Sequence, residues 1–138
     1  MDSASQLKAV DLKVTEARIT VLDFFMQHAR SHLTAEQLHS TLKNSGSSIG
    51  VATVYRVVNQ FEAKGLLKRH RFQSEHFVYE LNNPEHHDHL VCVKCGEVKE
   101  FCDEKIETQQ KNIAQTMGYQ LIDHELNLYG VCNKCAKH

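Results

Sequence analysis

Two C-x-x-C pairs, Cys92-Val-Lys-Cys95 and Cys132-Asn-Lys-Cys135, constrain this chain more than any other feature. A C-x-x-C turn presents two thiolates to one ion, and two such turns complete a tetrahedral four-sulphur site. A site closed in this way leaves no open position, so its expected role is structural: it would tie the C-terminal strand end back to the hairpin at Cys92–Cys95. A redox disulfide is the competing reading. It fits less well, because neither pair stands at the start of a predicted helix in the thioredoxin manner. The fifth cysteine, Cys102, lies outside both motifs and is expected to pack rather than to bind.

The chain has 138 residues, enough for one ordinary domain or two small ones. Small domains bury a low fraction of their surface, so a metal or a second subunit is a natural added stabiliser. Net charge is −1 overall, but residues 1–83 hold ten Lys/Arg against eight Asp/Glu (+2), and residues 84–138 hold six against nine (−3). The sign of that asymmetry suits a front half that meets phosphate. No apolar run is long enough to cross a bilayer, and the first residues lack the basic and apolar regions of a signal peptide. The expectation is a cytoplasmic chain, where disulfides are rare and cysteines more often serve metal.

Helical periodicity starts after Thr15, an N-cap, with Ile19, Leu22, Phe25, Met26 and Ala29. Thr34-Ala-Glu-Gln37 is a capping box that opens a second helix with Ala35, Leu38 and Leu42 as its stripe. A third is predicted from Val51 to Lys64, with Val51, Val54, Val58 and Phe61 on one face and Gly65 as its stop. Two strand-like segments follow, Leu66–Phe72 and Phe77–Leu81, joined by Gln73-Ser74-Glu75. Helix, turn, helix and hairpin is the order of a winged helix-turn-helix, whose second motif helix enters the major groove. Here that helix exposes Thr53, Tyr55, Arg56 and Asn59, side chains able to reach phosphates and base edges.

The chain's one proline, Pro84, breaks the strand pattern and marks the expected boundary between domains 1–83 and 84–138. Beyond it, Leu90–Cys92 and Val98–Phe101 read as strands, Asp103–Met117 as a helix stopped by Gly118, and Gln120–Tyr129 as a long strand. The fold class is thus α+β: a winged helix, then a small α/β domain. The run His86-His87-Asp88-His89 precedes a strand. If it is extended, His86 and Asp88 face one side and His87 and His89 the other, so the run can serve two ions. Glu80 and Glu100 are further candidate ligands. His124 shares a predicted face with Ile122, Leu126 and Leu128, and a lone histidine on an apolar face is more often a core residue than a ligand. Imidazole and carboxylate donors suit ferrous iron, manganese, cobalt or zinc without choosing among them.

These segments together resemble the ferric uptake regulator family over about residues 8–135. The most specific stretches are Leu12-Lys-Val-Thr15 with Arg18, Ile49-Gly-Val-Ala-Thr-Val-Tyr-Arg56 and His86-His-Asp-His-Leu-Val-Cys92. Gly65, Cys95-Gly96, Glu100-Phe101 and Tyr129-Gly130 fit as well. The resemblance implies a transcriptional repressor, not an enzyme. It would bind AT-rich, near-palindromic double-stranded operators as a homodimer, and whether dimers pair into tetramers stays open. It also implies a structural zinc ion on Cys92, Cys95, Cys132 and Cys135. The regulatory ferrous ion, for which Mn2+, Co2+ or Zn2+ can substitute, would take His32, Glu80, His87, His89 and Glu100. An additional site would use His86, Asp88, Glu107 and His124, against the core reading of His124. DNA contacts carried over are Lys13 in a minor groove and Tyr55 and Arg56 in the recognition helix, with Arg18, Thr53 and Arg69 as weaker candidates.

Relatives that sense peroxide look similar but tend to place aspartates at the positions of Glu80 and Glu100, which favours an iron regulator here. Zinc-sensing relatives share the cysteine pairs and are the nearer alternative. A metalloenzyme with an open catalytic ion is a reading from another class; it lacks an H-E-x-x-H or similar helix motif. A zinc-stapled interaction module without a DNA role is a third, opposed by the winged-helix order.

Overall fold

A computed structural model describes residues 2–72, 75–82 and 87–137. The expected turn residues Gln73 and Ser74, the boundary residue Pro84 and the candidate ligand His86 lie outside the described residues. Contacts divide the chain into two units, Met1–Pro84 and Glu85–His138.

The first unit is built on four helices: α1 (Ser3–Ala9), α2 (Glu16–Gln27), α3 (Ala35–Asn44) and α4 (Val51–Ala63). Thr15 caps α2 by accepting from the Arg18 N–H, and the Thr34–Gln37 capping box opens α3 with both of its reciprocal bonds formed. Gly65 adopts φ +80°, the left-handed stop that ends α4 without a Cβ penalty. One core gathers Leu7, Val21, Leu22, Phe25, Leu38, Val54, Val58, Phe61, Leu67 and Tyr79. Two sequence expectations are corrected here. Val51, expected on the buried face of α4, is 41% exposed because it is the first helical residue, and Val57 is buried in addition to Val54 and Val58. Ala29 falls beyond the end of α2, and Val21 joins Leu22 and Phe25 in the core. The short α1, which no periodicity announced, seats Leu7 in the same core.

The wing is an antiparallel pair, β1 (Leu67–His70) and β2 (Val78–Leu81), both shorter than predicted. Its third member is a single bridge: Leu33 and Tyr79 exchange backbone bonds of 3.1 and 2.8 Å. That bridge lays the segment before α3 alongside β2, which sets His32 next to Glu80.

The second unit holds β3 (Asp88–Cys92), β4 (Val98–Phe101), α5 (Glu104–Thr116), β5 (Asn127–Gly130) and the one-turn α6 (Asn133–Ala136). The sheet order is β4-β3-β5, with β4 antiparallel and β5 parallel to β3. The long strand expected over Gln120–Tyr129 is confined to its last residues. Pairing with β3 begins at His89↔Asn127, and β3 itself begins at Asp88, so nothing in this sheet can pair with 120–125. The premise that His124 lies on an apolar strand face fails with it; Ile122 is 95% exposed.

Candidate metal centres and nucleic-acid surface

Parallel pairing of β3 with β5 sets Cys92 opposite Gly130, and this register brings the two cysteine pairs together. One sulphur from each of Cys92, Cys95, Cys132 and Cys135 lies within 4.8 Å of every other. The first pair sits on a tight knuckle in which the Gly96 N–H reaches the Cys92 carbonyl at 2.9 Å, with Gly96 at φ +79°. The second pair opens α6, with Cys132 as its N-cap. This corrects the expectation that neither pair stands at a helix start, although a helix of one turn gives only a weak dipole.

The Cys92 thiol is pulled down to about 6, first by the Cys95 N–H and then by the Cys132 N–H, which lie 3.5 and 3.4 Å from its sulphur. Cys135 is pushed up to about 12, chiefly by its hydrogen bond with Cys132 and then by burial. Four thiols this close cannot all ionise without a cation among them, and a tetrahedral zinc ion meets that need. Cys102, expected to pack, is exposed and stands apart from this group.

In the first unit, Glu80 is 1% exposed, and its two carboxylate oxygens face two imidazoles. His32 Nε2 pairs with Oε2, and His70 Nε2 lies 2.9 Å from Oε1. In the second unit, His89 stands directly across from Glu100 in the β3–β4 register. His87 Nε2 lies 3.4 Å from Glu100 Oε1, and the His87 and His89 rings are 5.0 Å apart. Asp88 points the other way. His124 Nε2 lies 3.5 Å from Asp88 Oδ1 and 3.4 Å from Glu107 Oε1, and these three form a compact donor group. The two-residue alternation of the strand thus separates His87 and His89 from Asp88. Glu107, one turn into α5, reaches this group because Asp103 caps the helix and fixes its start. His70 is the residue that sequence reasoning missed. It becomes Glu80's neighbour through the register Lys68↔Glu80 and His70↔Val78, which sequence patterning does not disclose.

The surface of α4 carries the proposed DNA contacts. Tyr55 and Arg56 are exposed, with the Tyr55 hydroxyl donating to Glu36 on α3 and Arg56 3.4 Å from the Thr53 hydroxyl. Lys13 is exposed just before α2. Arg18 is half-buried; its guanidinium donates to the Lys13 carbonyl at 2.7 Å and to Gln60 at 3.2 and 3.3 Å, bracing the Lys13 segment. Asn59 accepts from the Tyr79 hydroxyl at 2.6 Å and so also ties α4 to the wing. Arg69 lies over the Phe77 ring at 4.1 Å on the wing.

A winged helix followed in the chain by a thiolate-bearing sheet is the build of a DNA-binding, metal-binding transcription regulator. The model of the ferric uptake regulator family matches residues 9–129, and this chain belongs to that family. It is 52% identical over 135 residues to the ferric uptake regulation protein of Legionella pneumophila, covering 98% of this chain and 99% of that one. Among solved structures, the Vibrio cholerae ferric uptake regulator is similar with a TM-score of 0.86 and 47% identity, covering 95% of this chain and 100% of that one. The Francisella tularensis regulator, solved with iron, matches with a TM-score of 0.80 and 44% identity, covering 91% and 96%.

Proposed function

We propose that this regulator is a homodimeric repressor with ferrous iron as co-repressor, acting in the cytoplasm on AT-rich palindromic operators of iron-uptake genes. The observation that carries the reading is the split donor set. Imidazole and carboxylate groups assemble as His32 with Glu80 in one unit and as His87, His89 and Glu100 in the other. Both groups carry the donors of a divalent ion such as ferrous iron, manganese, cobalt or zinc. Glutamate at both 80 and 100, and the iron-loaded Francisella relative, favour iron.

In this reading His32, Glu80, His87, His89 and Glu100 would hold the ion, whose positive charge would offset the two carboxylates. Ligands drawn from both units then restrain the recognition helices, and the population shifts toward the form that matches the half-site spacing. By linkage, operator DNA tightens metal binding by the same factor as metal tightens operator binding. Tyr55 packs on thymine methyls, Arg56 reaches base edges or phosphate, and Lys13 enters a minor groove. Asp88, Glu107 and His124 form the additional donor group, to which the family resemblance adds His86, and the four cysteines hold zinc.

Self-association is supported by the second unit's unfinished core. Among its described residues only Val91 and Cys92 are buried hydrophobics, and α5 buries none of its side chains. Leu90, Ile113, Met117, Tyr119 and Leu128 are exposed apolar residues that a second copy would cover.

Operator gel shifts test the proposal. Binding is abolished by EDTA and restored by Mn2+, or anaerobically by Fe2+. Restoration by zinc alone would make the protein a zinc sensor, and binding indifferent to EDTA would end the co-repressor reading.

A further inference from the structure

Both oxygens of Glu80 are engaged by imidazoles of its own unit, and of these two imidazoles His32 belongs to the proposed ligand set. The other, His70, sits on β1. The register Lys68↔Glu80 and His70↔Val78 makes it the diagonal neighbour of Glu80 on the same face of the wing. Its Nε2 is 2.9 Å from Oε1. An ionised carboxylate only accepts, so Nε2 carries the proton and the Nε2–H donates.

The ring itself is held in place. Phe72 stacks on His70 with centroids 4.8 Å apart and planes 18° from parallel. Phe72 itself adopts φ +44°, a left-handed backbone that is uncommon for a bulky side chain. Two features that sequence patterning did not flag therefore converge on one oxygen atom of one carboxylate.

We infer that His70 is a positioning residue for the regulatory ion, holding Glu80 Oε1 so that Oε2 is the oxygen presented to the metal. This rests on the reading of Glu80 as a regulatory ligand. In the metal-bound protein His32 and Oε2 would serve as ligands, while the His70 bond would keep Oε1 occupied and hold the carboxylate to one oxygen for the ion. Hydrogen-bonded partners of metal ligands orient them and raise affinity, and removing such a partner typically costs about 10–100-fold in metal affinity. The bond also ties the ion's occupancy to β1, the strand that carries Arg69.

The test is Mn2+ titration of the full-length, zinc-loaded protein, reading free Mn2+ by EPR, in wild type, His87→Ala, His70→Ala and His70→Gln. The class of sites that His87→Ala removes defines the regulatory ion. His70→Ala is expected to weaken that class by about 10–100-fold. His70→Gln, whose amide nitrogen can replace the Nε2 donor, recovers most of the loss. Its Co2+-substituted absorption bands keep wild-type positions, because the ligands are unchanged.

Wild-type Mn2+ affinity in His70→Ala overturns the inference. So does a His70→Gln protein that fails to recover and shifts its Co2+ bands, which would make His70 itself a ligand. If His70→Ala does not fold, the His70→Gln bands and affinity decide the matter alone. Should His87→Ala bind Mn2+ like wild type, the regulatory-ion reading fails rather than the role of His70 within it.

Discussion

Tyr55, in its proposed role at the operator, would meet DNA mainly through its ring, because its hydroxyl proton is donated to Glu36. In that proposed role the same carboxylate would set a negative charge beside the operator. Glu36→Gln is therefore expected to raise operator affinity at low salt, with the gain fading as ionic strength rises, in a fluorescence-anisotropy salt titration. Equal or lower affinity at every salt concentration would place that carboxylate away from the DNA. Arg56→Ala is expected to weaken operator binding while zinc content and Mn2+ affinity stay unchanged; if its role is a phosphate contact, the salt slope falls by about one. At this scale the sequence was legible where chemistry is local. The alternation of His87, Asp88 and His89 needs only a strand. His70 was not legible, since its meeting with Glu80 depends on a hairpin register that residue types alone do not specify.

Among the elements, helices were easier to read than strands, for a physical reason. The caps at Thr15 and Thr34 and the stop at Gly65 act within one helical turn, so they are written in adjacent residues. Thr34→Ala removes a complete capping box and is expected to cost about 1 kcal/mol, measurable as a lower midpoint in urea denaturation. A strand depends on a partner elsewhere. Residues 120–125 have strand-like composition, but β3 supplies pairing positions only opposite Asn127–Gly130. The same dependence makes the zinc knuckle decisive for the sheet, since it fastens the far ends of β3 and β5. Cys92→Ser is expected to release zinc and to melt the second unit, seen as loss of bound zinc and of thermal stability; a variant of unchanged stability would deprive the thiolates of their structural role. Apparent binding free energies of structural zinc are about 10–16 kcal/mol in zinc-finger peptides, comparable with the net stability of about 5–15 kcal/mol of a whole domain.

At the scale of the whole molecule, two properties are separable by mutation. His32→Ala is expected to keep zinc and the dimer while losing metal-dependent operator binding; a variant that still binds operator only when iron is added would refute the shared-ligand mechanism. Ile113→Glu, on the exposed apolar face of α5, is expected to shift sedimentation toward monomer while the zinc remains. The helical half of the fold and the four-cysteine group were accessible from patterning, because both are specified by short spacings. The exposed apolar surface of the second unit was not, because composition cannot distinguish a residue that waits for another copy from one that fills its own core.

The one-turn α6 begins on a zinc-site cysteine and is far too short to persist alone. Without zinc the α6 segment would therefore fray, and frayed segments are where proteases cut. Metal loading would then act as a maturation checkpoint, and copies that never pass it would be cleared before they could pair with finished ones.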